Sequence, residues 1–267
     1  MILCSSSARS SKPFELAMAD ISAAGFADID LLAINTWCHI NPAVLASDFD
    51  KTLAGAEAVF KKHRLSMKAM NVGFSCQMHD RRPASVRQNL GECEAICKFM
   101  DYFGAKTASL QPLQNDPLRN KGAALDEALG DCIASLGEYY GCMSAHGIKL
   151  GLELHVNSPF ENRAAVERLL AEIPGAGIAY DPSHQAMQGI GLEESEFTMK
   201  NTVHAHLRDA GPGEMQTKVG KGAVDFEWVM RKLAENGYAG MYSIEFLDNA
   251  EWDALAEAKK LMDVLSP

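Results

Sequence analysis

Short apolar segments alternate with longer amphipathic segments along the whole chain, and this alternation predicts a repeated strand–helix architecture. The apolar segments predict strands over Ile2–Ser5, Ile29–Ile34, Ser66–Val72, Lys106–Gln111, Ile148–Leu154, Gly177–Asp181, Val203–Leu207 and Tyr242–Phe246. The amphipathic segments predict helices over Phe14–Ala24, Leu53–His63, Arg87–Phe103, Leu125–His146, Ala164–Ala171, Phe226–Asn236 and Trp252–Leu265.

Eight strand–helix units within 267 residues match the number and size of a (β/α)8 barrel. No Pro/Ser-rich linker or change in composition divides the chain, so a single TIM-barrel domain over residues 1–267 is expected. A doubly wound open sheet is the alternative. That fold usually carries a GxGxxG turn after its first strand, and the segment CSSSARSS from Cys4 onward is not of this type.

The composition narrows the class of protein but not its chemistry. Hydrophobic residues make up 47% of the chain and charged residues 22%, which is ordinary for a soluble globular protein. A formal charge of −10 argues against a broad nucleic-acid surface, although a small anionic substrate remains compatible with it. No apolar run reaches the length of a membrane span, and the start MILCSSSARSS lacks the pattern of a signal peptide. A cytoplasmic protein without nucleic-acid or membrane partners is expected.

Cysteine spacing is consistent with that compartment. The chain has seven cysteines, an odd number, and none of them forms a CxxC pair. Cys93 and Cys97 are four residues apart within a predicted helix, so they share one helix face. Free thiols in a reducing environment are the simplest interpretation.

Polar residues occur where the late strands end. The relevant residues are Glu153 and His155 in LGLELH, Asp181 and His184 in YDPSH, His206 and Arg208 in HAHLRD, and Glu245 in SIEF. Residues with the same inward parity are small, namely Gly151, Ala179 and Ser243, and they leave room for longer side chains to converge. An isolated carboxylate is costly to bury, so these acids require partners.

A divalent cation would satisfy that requirement. Glu153, Asp181, His206 and Glu245 supply three carboxylates and one imidazole, a set suited to Mn²⁺ or Mg²⁺, with Co²⁺ or Zn²⁺ also acceptable. A buried charge network without metal is the alternative. Three converging acids without a cation would repel one another strongly.

The order of these motifs resembles a known family. Glu153 is followed by D-P-S-H, then H-L-R-D, then VGKGAVDFEWVMRKLAENGYAGMYSIE, as in the xylose-isomerase-like TIM barrels. That superfamily contains ketose 3-epimerases, hydroxypyruvate isomerase, inosose dehydratases and an AP-endonuclease branch. The specific motifs lie within residues 148–248, and the similarity extends over the whole chain in outline.

The resemblance implies a function and a role for each residue. It implies a metal-dependent isomerase or epimerase that acts on a ketose or related polyhydroxy carbonyl compound through a metal-bound cis-enediolate. One divalent cation, Mn²⁺ by preference, would be held by Glu153, Asp181, His206 and Glu245, with Glu153 and Glu245 as the acid and base. His184, His155 and Arg208 would contact substrate. The resemblance also allows a homodimer or homotetramer.

Several assignments near this site stay open at the level of sequence. His79, in the loop SCQMHDRRP, could reach the substrate or be solvated. His204 is expected to be an interior histidine that is not a ligand, and Asp209 to cap a turn or form a salt bridge. The GKG segment at 220–222 could bind phosphate, although an unphosphorylated substrate is favoured because no longer glycine-rich cradle is present.

Three other functions are compatible with parts of the pattern. A dehydratase of an inosose or dehydroshikimate-type substrate would use the same site with a different outcome. An AP-endonuclease-type phosphodiesterase is disfavoured, because AGPGEMQTKVGKGAVDF after HLRD lacks the D-x-H pair of that branch and the chain is acidic. A ligand-binding barrel without enzymatic activity is the alternative outside the enzymes.

Overall fold

Eight parallel strands close into a barrel in a computed structural model, which describes residues 1–35, 37–112 and 122–265. The strands are β1 (Ile2–Ser5), β2 (Asp28–Ile34), β3 (Trp37–Cys38), β4 (Ser66–Gly73), β5 (Thr107–Leu110), β6 (Lys149–Glu153), β7 (Gly177–Tyr180), β8 (Thr202–Leu207) and β9 (Tyr242–Ile244). Every strand except β3 pairs with its two neighbours in parallel, and the pairing of β1 with both β2 and β9 closes the barrel. The two-residue β3 lies outside the barrel and is antiparallel to β2. The predicted (β/α)8 barrel is confirmed.

Helices connect successive strands and follow the last one. They are α1 (Phe14–Ala23), α2 (Pro42–Ser47), α3 (Phe49–His63), α4 (Pro83–Phe103), α5 (Gly122–Ala145), α6 (Arg163–Glu172), α7 (Ser183–Gln188), α8 (Glu196–Met199), α9 (Phe226–Glu235) and α10 (Ala254–Leu265). Short 3₁₀ helices cover Ser6–Arg9 and Leu192–Ser195. None of the helices within the described ranges combines the length and hydropathy that crossing a bilayer requires.

Helices α3 and α4 begin a full turn earlier than the apolar periodicity predicts. Helix α4 starts at Pro83 rather than at Arg87, because proline is suited to the first turn, where its missing N–H costs no hydrogen bond. Helix α3 starts at Phe49 rather than at Leu53, with Asp50 in its first turn, where a negative charge interacts favourably with the helix dipole. The short helices α2, α7 and α8 were not predicted, since segments of six residues or fewer do not repeat the helical period often enough for it to be recognised.

Close strand contact explains why small residues lie below the mouth of the barrel. Gly151 on β6 pairs with Gly177 on β7. A Cβ atom at Gly151 would lie 2.7 Å from the backbone nitrogen of Ala179, closer than side chains normally approach a backbone. These strands can therefore pack side by side only with glycine at this position, which keeps the space above it free for larger polar side chains.

Candidate metal centre

Four consecutive barrel strands bring the predicted metal ligands to one end of the barrel. Glu153 is the last residue of β6, and His206 is the penultimate residue of β8. Asp181 directly follows β7, and Glu245 directly follows β9. All four therefore lie at the carboxyl ends of parallel strands, the face on which (β/α)8 barrels carry their active sites.

The four side chains converge closely enough to share one ion. One donor atom from each of Glu153, Asp181, His206 and Glu245 lies within 4.8 Å of the donor atoms of the other three. All four residues are at most 5% exposed. We call these residues the four-donor cluster. Three buried carboxylates at this spacing repel one another unless a cation or protons neutralise them.

The imidazole of His206 is surrounded by carboxylates. Its Nδ1 lies 3.0 Å from Glu245 Oε2 and 3.8 Å from Glu153 Oε1, and its Nε2 lies 3.5 Å from Asp30 Oδ2. Within the described part of the chain, neither nitrogen has a hydrogen-bond partner of acceptable geometry. Burial lowers the pKa of His206, but Glu245, Asp30 and Glu153 together raise it well above its usual value. The surrounding carboxylates therefore favour a positive charge at this position.

Asp30 is a member of the site that the sequence analysis did not identify. It lies on β2, is fully buried, and accepts a hydrogen bond of 2.8 Å from Nε2 of His204. Burial raises the pKa of Asp30, but the hydrogen bond from His204 and the nearby imidazole of His206 lower it more, well below its usual value. His204 is thus an interior histidine bound to a carboxylate, as expected. A signal was present in the sequence, since Asp30 interrupts the apolar strand DIDLLAI at an inward position.

His184 contacts two of the four donors. Its Nε2 lies 3.0 Å from Glu153 Oε1 and 3.6 Å from Asp181 Oδ2, and the side chain is 1% exposed. Burial raises the pKa of Glu153, but the hydrogen bond from His184 and the nearby imidazole of His206 hold it well below its usual value. The geometry places His184 beside the cluster, where it can position Glu153. Its contact with substrate stays a prediction.

Arg208 is buried against Asp181 rather than extended at the rim. Its Nη2 lies 3.1 Å from Asp181 Oδ2 and 2.7 Å from the Ser183 hydroxyl, and the residue is 2% exposed. The guanidinium therefore compensates one of the three carboxylates and orients it. Arg208 is thus paired with Asp181, a member of the four-donor cluster. Its contact with substrate stays a prediction.

Asn71 supports Glu245 from the opposite side of the barrel. The Asn71 amide on β4 donates a hydrogen bond of 2.7 Å to Glu245 Oε1, and both residues are buried. Glu245 therefore has one oxygen fixed by an amide and the other within 3.0 Å of His206 Nδ1. Asn71 was not identified from sequence, although it interrupts the apolar strand KAMNVG in the same way as Asp30 does its own.

The two remaining predicted substrate residues lie at the same end of the barrel. His155 follows β6 by two residues, donates from Nδ1 to the carbonyl oxygen of Val156 at 2.6 Å, and packs its ring 4.3 Å from that of His184. This contact connects it to the cluster through His184. His79 is half-buried in the loop that follows β4. Substrate contact by either residue stays a prediction.

The loop that contains GKG is closed around a carboxylate. The Asp209 side chain accepts hydrogen bonds from the backbone N–H groups of Gly220, Gly222 and Val224, and also from its neighbour Ala210. Asp209 is 1% exposed, so its expected role in capping a turn agrees with the geometry. The backbone N–H groups of Gly220 and Gly222 already donate to Asp209. The geometry of this loop therefore does not support phosphate binding by these two groups.

The sequence also matches a family model over nearly its whole length. Residues 18–266 match the model described as xylose isomerase-like TIM barrel. The chain belongs to this family. The resemblance drawn from the motifs around Glu153 and Asp181 is thereby confirmed, and so is the fold class.

Two curated relatives match this chain in sequence, each over only part of its length. An uncharacterised protein of Methanocaldococcus jannaschii is 30% identical over 133 residues, which cover 45% of this chain and 44% of the relative. A putative L-ribulose-5-phosphate 3-epimerase, UlaE, of Shigella dysenteriae is 35% identical over 71 residues, which cover 26% of this chain and 25% of that protein. The matched segments thus span less than half of either relative.

Solved structures share the fold over the whole chain. A D-tagatose 3-epimerase-like protein superimposes with a TM-score of 0.75 at 17% identity, covering 98% of this chain and 96% of the other. The 3-keto-D-glucoside 4-epimerase YcjR of E. coli gives 0.73 at 17% identity, covering 100% and 99%. An IolI protein with a bound zinc atom gives 0.69 at 18% identity, covering 99% and 98%. At these identities the similarity establishes the fold.

Proposed function

We propose that this protein is a divalent-metal-dependent sugar epimerase or isomerase acting on a ketose or a related polyhydroxy carbonyl compound. The observation that carries the proposal is the convergence of four donor side chains within 4.8 Å at the mouth of the barrel. Membership of the xylose isomerase-like family supports it, as do the epimerases among the structures with this fold.

The donor set fits a divalent cation. Three carboxylates and one imidazole offer mainly hard oxygen ligands, for which Mn²⁺ is the favoured ion and Mg²⁺, Co²⁺ and Zn²⁺ are acceptable. The buried nitrogen atoms of His206 lack hydrogen-bond partners within the described ranges, which also agrees with a ligand role. When bound, such an ion would act as a Lewis acid on a substrate carbonyl and so acidify the neighbouring C–H group.

Glu153 and Glu245 are assigned the proton transfers. They come from β6 and β9, so two other strands separate them and they can approach a planar substrate from different sides. One carboxylate removes the proton from the carbon next to the carbonyl, and the other returns a proton from the opposite face. Asn71 and His184, which bind Glu245 and Glu153 respectively, hold these carboxylates in place.

The loop geometry favours an unphosphorylated substrate. Phosphate groups are commonly bound by free backbone N–H groups in glycine-rich turns. Here the amides of Gly220 and Gly222 bind Asp209. We therefore assign neutral ketoses or inososes as the first compounds to assay, and sugar phosphates as the comparison set.

The first test is metal analysis followed by a substrate screen. The purified protein is stripped with a chelator, reconstituted separately with Mn²⁺, Mg²⁺, Co²⁺ and Zn²⁺, and incubated with ketoses, inososes and sugar phosphates. We expect about one ion per chain and formation of an epimer or a positional isomer. Loss of water from an inosose or dehydroshikimate-type compound would instead identify the dehydratase alternative. Failure to bind any of the four ions would contradict the proposal.

Amide variants distinguish an enzyme from a ligand-binding barrel. Glu153→Gln and Glu245→Gln remove the proton-transfer groups with little change in volume, and we expect a loss of turnover of about 10²-fold or more. Glu172→Gln is the matched control, because Glu172 is an exposed residue on α6 paired with Arg168. Metal content is measured for every variant, since loss of the ion and loss of proton transfer must be separated. Unchanged turnover in Glu245→Gln with metal bound would rule out the assignment of Glu245.

A further inference from the structure

Three cysteine thiols meet between two outer helices, in a cluster that the proposed sugar chemistry does not use. Cys93 and Cys97 lie one turn apart on α4, and Cys142 lies on α5. Their three sulfur atoms are all within 4.8 Å of one another. The sulfur atoms of Cys97 and Cys142 are 4.0 Å apart. We call these residues the thiol cluster.

The members of the thiol cluster differ in their access to solvent. Cys93 and Cys97 are completely buried, whereas Cys142 is partly exposed. A small oxidant can therefore reach Cys142 first. A thiol that reacts with an oxidant and has a second thiol within reach is positioned to form a disulfide. Cys97 has that position, because its sulfur already contacts the sulfur of Cys142.

The electrostatic environment favours a thiolate at Cys142. A hydrogen bond from Cys93 lowers the pKa of the Cys142 thiol, burial opposes this, and a second hydrogen bond from Cys97 lowers it further, to about 7. Glu94 Oε2, 3.7 Å from the Cys142 sulfur, acts in the opposite direction. His146, four residues after Cys142, lies 3.3 Å from the same oxygen of Glu94 and offsets part of its charge. The neighbouring thiols of Cys142 and Cys97, followed by burial, raise the pKa of the Cys93 thiol.

We propose that Cys142 is a site of oxidation by hydroperoxides and that Cys97 is its resolving partner. In the first step the Cys142 thiolate attacks one peroxide oxygen. An S–O bond forms, the O–O bond breaks, and the leaving hydroxide takes a proton to become water. In the second step the Cys97 sulfur attacks the sulfur of the Cys142 sulfenic acid. The S–S bond forms, the S–O bond breaks, and the hydroxide leaves as water with the proton of Cys97. Two thiols lose two electrons, and hydrogen peroxide is reduced to two molecules of water.

The test uses the full chain, reduced, freed of reductant and treated with hydrogen peroxide. Free thiols are then alkylated and the protein is digested with trypsin, which releases Cys93 and Cys97 in residues 88–98 and both Cys132 and Cys142 in residues 122–149. We expect a disulfide between these two peptides, assigned by fragmentation to Cys97 and Cys142. A disulfide through Cys93, or peptides that stay unlinked, would overturn the assignment of the resolving residue.

Variants separate attack from resolution. Cys142→Ser is expected to abolish the disulfide, and Cys93→Ser to retain it. In Cys97→Ala the Cys142 sulfenic acid is expected to persist and to be trapped by dimedone. Each variant is checked for its folded state by circular dichroism, and the mapping in the unmodified chain tests the proposal even where a variant does not fold.

Cys76 supplies the matched control thiol. It is also partly exposed, and its sulfur donates to Gln88 Oε1 rather than to another cysteine. In competitive alkylation at pH 7, we expect Cys142 to react about threefold faster than Cys76, because the neighbouring thiols of Cys93 and Cys97 stabilise the Cys142 thiolate while a stabilised thiolate is a weaker nucleophile. Equal or slower reaction of Cys142, together with equal peroxide oxidation of both residues, would overturn the proposal.

Discussion

The carboxylate of Asp30 on β2 lies 3.5 Å from Nε2 of His206 on β8, across the interior of the barrel. The other nitrogen of His206 faces Glu245 and Glu153. A carboxylate behind a histidine ligand fixes the orientation of the ring and increases the basicity of the nitrogen that binds metal. If His206 binds the proposed metal, Asp30 would act on that metal by orienting the His206 ring.

Replacing Asp30 with Asn tests this role. We expect Asp30→Asn to weaken Mn²⁺ binding by about 10–100-fold, since the variant keeps the shape of the side chain and removes the charge behind His206. Isothermal titration of the stripped protein measures the affinity. Asp28→Asn, on the same strand and near Lys68, is the matched control. If both variants bind Mn²⁺ as tightly as the unmodified protein, Asp30 has no influence on the metal.

Proton competition at His206 makes metal binding depend on pH. Burial disfavours the imidazolium, but Glu245, Asp30 and Glu153 raise the pKa of His206 well above its usual value in the metal-free protein. A metal ion needs the neutral ring, so binding must expel this proton. We therefore expect the affinity for Mn²⁺ to rise with pH up to the raised pKa, with about one proton released per ion bound. Titrations in buffers of different ionisation enthalpy measure that proton, and an affinity independent of pH would contradict the assignment of His206.

The same shift sets the direction of a stability change without metal. A histidine whose pKa is higher in the folded than in the unfolded chain stabilises the fold fully below its unfolded pKa, about 6.5. That contribution is lost as pH rises through the folded pKa of His206, because both states then bind no proton at this ring. We expect the free energy of unfolding of the stripped protein to fall over this interval more than that of His206→Gln. Denaturant unfolding at a series of pH values measures the difference, and parallel curves would exclude it.

Removing Arg208 should leave Asp181 without its cation. In the stripped protein we expect Arg208→Met to lower the free energy of unfolding by about 3–5 kcal/mol, because both partners of this ion pair are buried. Mn²⁺ should restore part of the loss, since the ion would neutralise Asp181. Arg231→Met, which breaks the exposed pair with Glu235, should cost no more than about 1 kcal/mol. Equal effects of the two substitutions would show that the burial of Arg208 does not determine its contribution.

Gly222 should resist substitution because the loop closes tightly around Asp209. A Cβ atom at Gly222 would collide with Asp209 Oδ1 and with the carbonyl oxygen of Ala210. We expect Gly222→Ala to lower the free energy of unfolding by about 1–3 kcal/mol, the usual range for overpacking. Gly91→Ala is the control, because a Cβ at this position on α4 meets no atom within 4 Å and alanine favours the helix. Thermal unfolding of both variants measures the difference. Equal destabilisation by the two substitutions would show that the collision at Gly222 is not the cause.

Local sequence patterns were sufficient to predict the fold and the residues of the four-donor cluster. The predicted apolar segments lie within about two residues of the observed strands, because burial on both faces requires near-continuous apolar runs. The polar residues that end β6, β7, β8 and β9 were found for the same reason, since a donor at a strand end interrupts an otherwise apolar segment. Each of these residues lies within or directly after the apolar segment that predicts its strand, so a local stretch of sequence is enough to find it.

The chain itself therefore determines the barrel, its strand order and the four donors, since each follows from periodicity and from residue type at strand ends. Tertiary structure decided which side chains stand behind those donors. Asp30 and Asn71 reach His206 and Glu245 only because closure brings β2 and β4 opposite the late strands. Pairing of the neighbouring strands β7 and β8 places Arg208 beside Asp181, and helix packing brings Cys142 against Cys97. Periodicity reports which face a residue occupies, whereas its partner across the barrel depends on strand stagger and closure, which no local window of sequence contains.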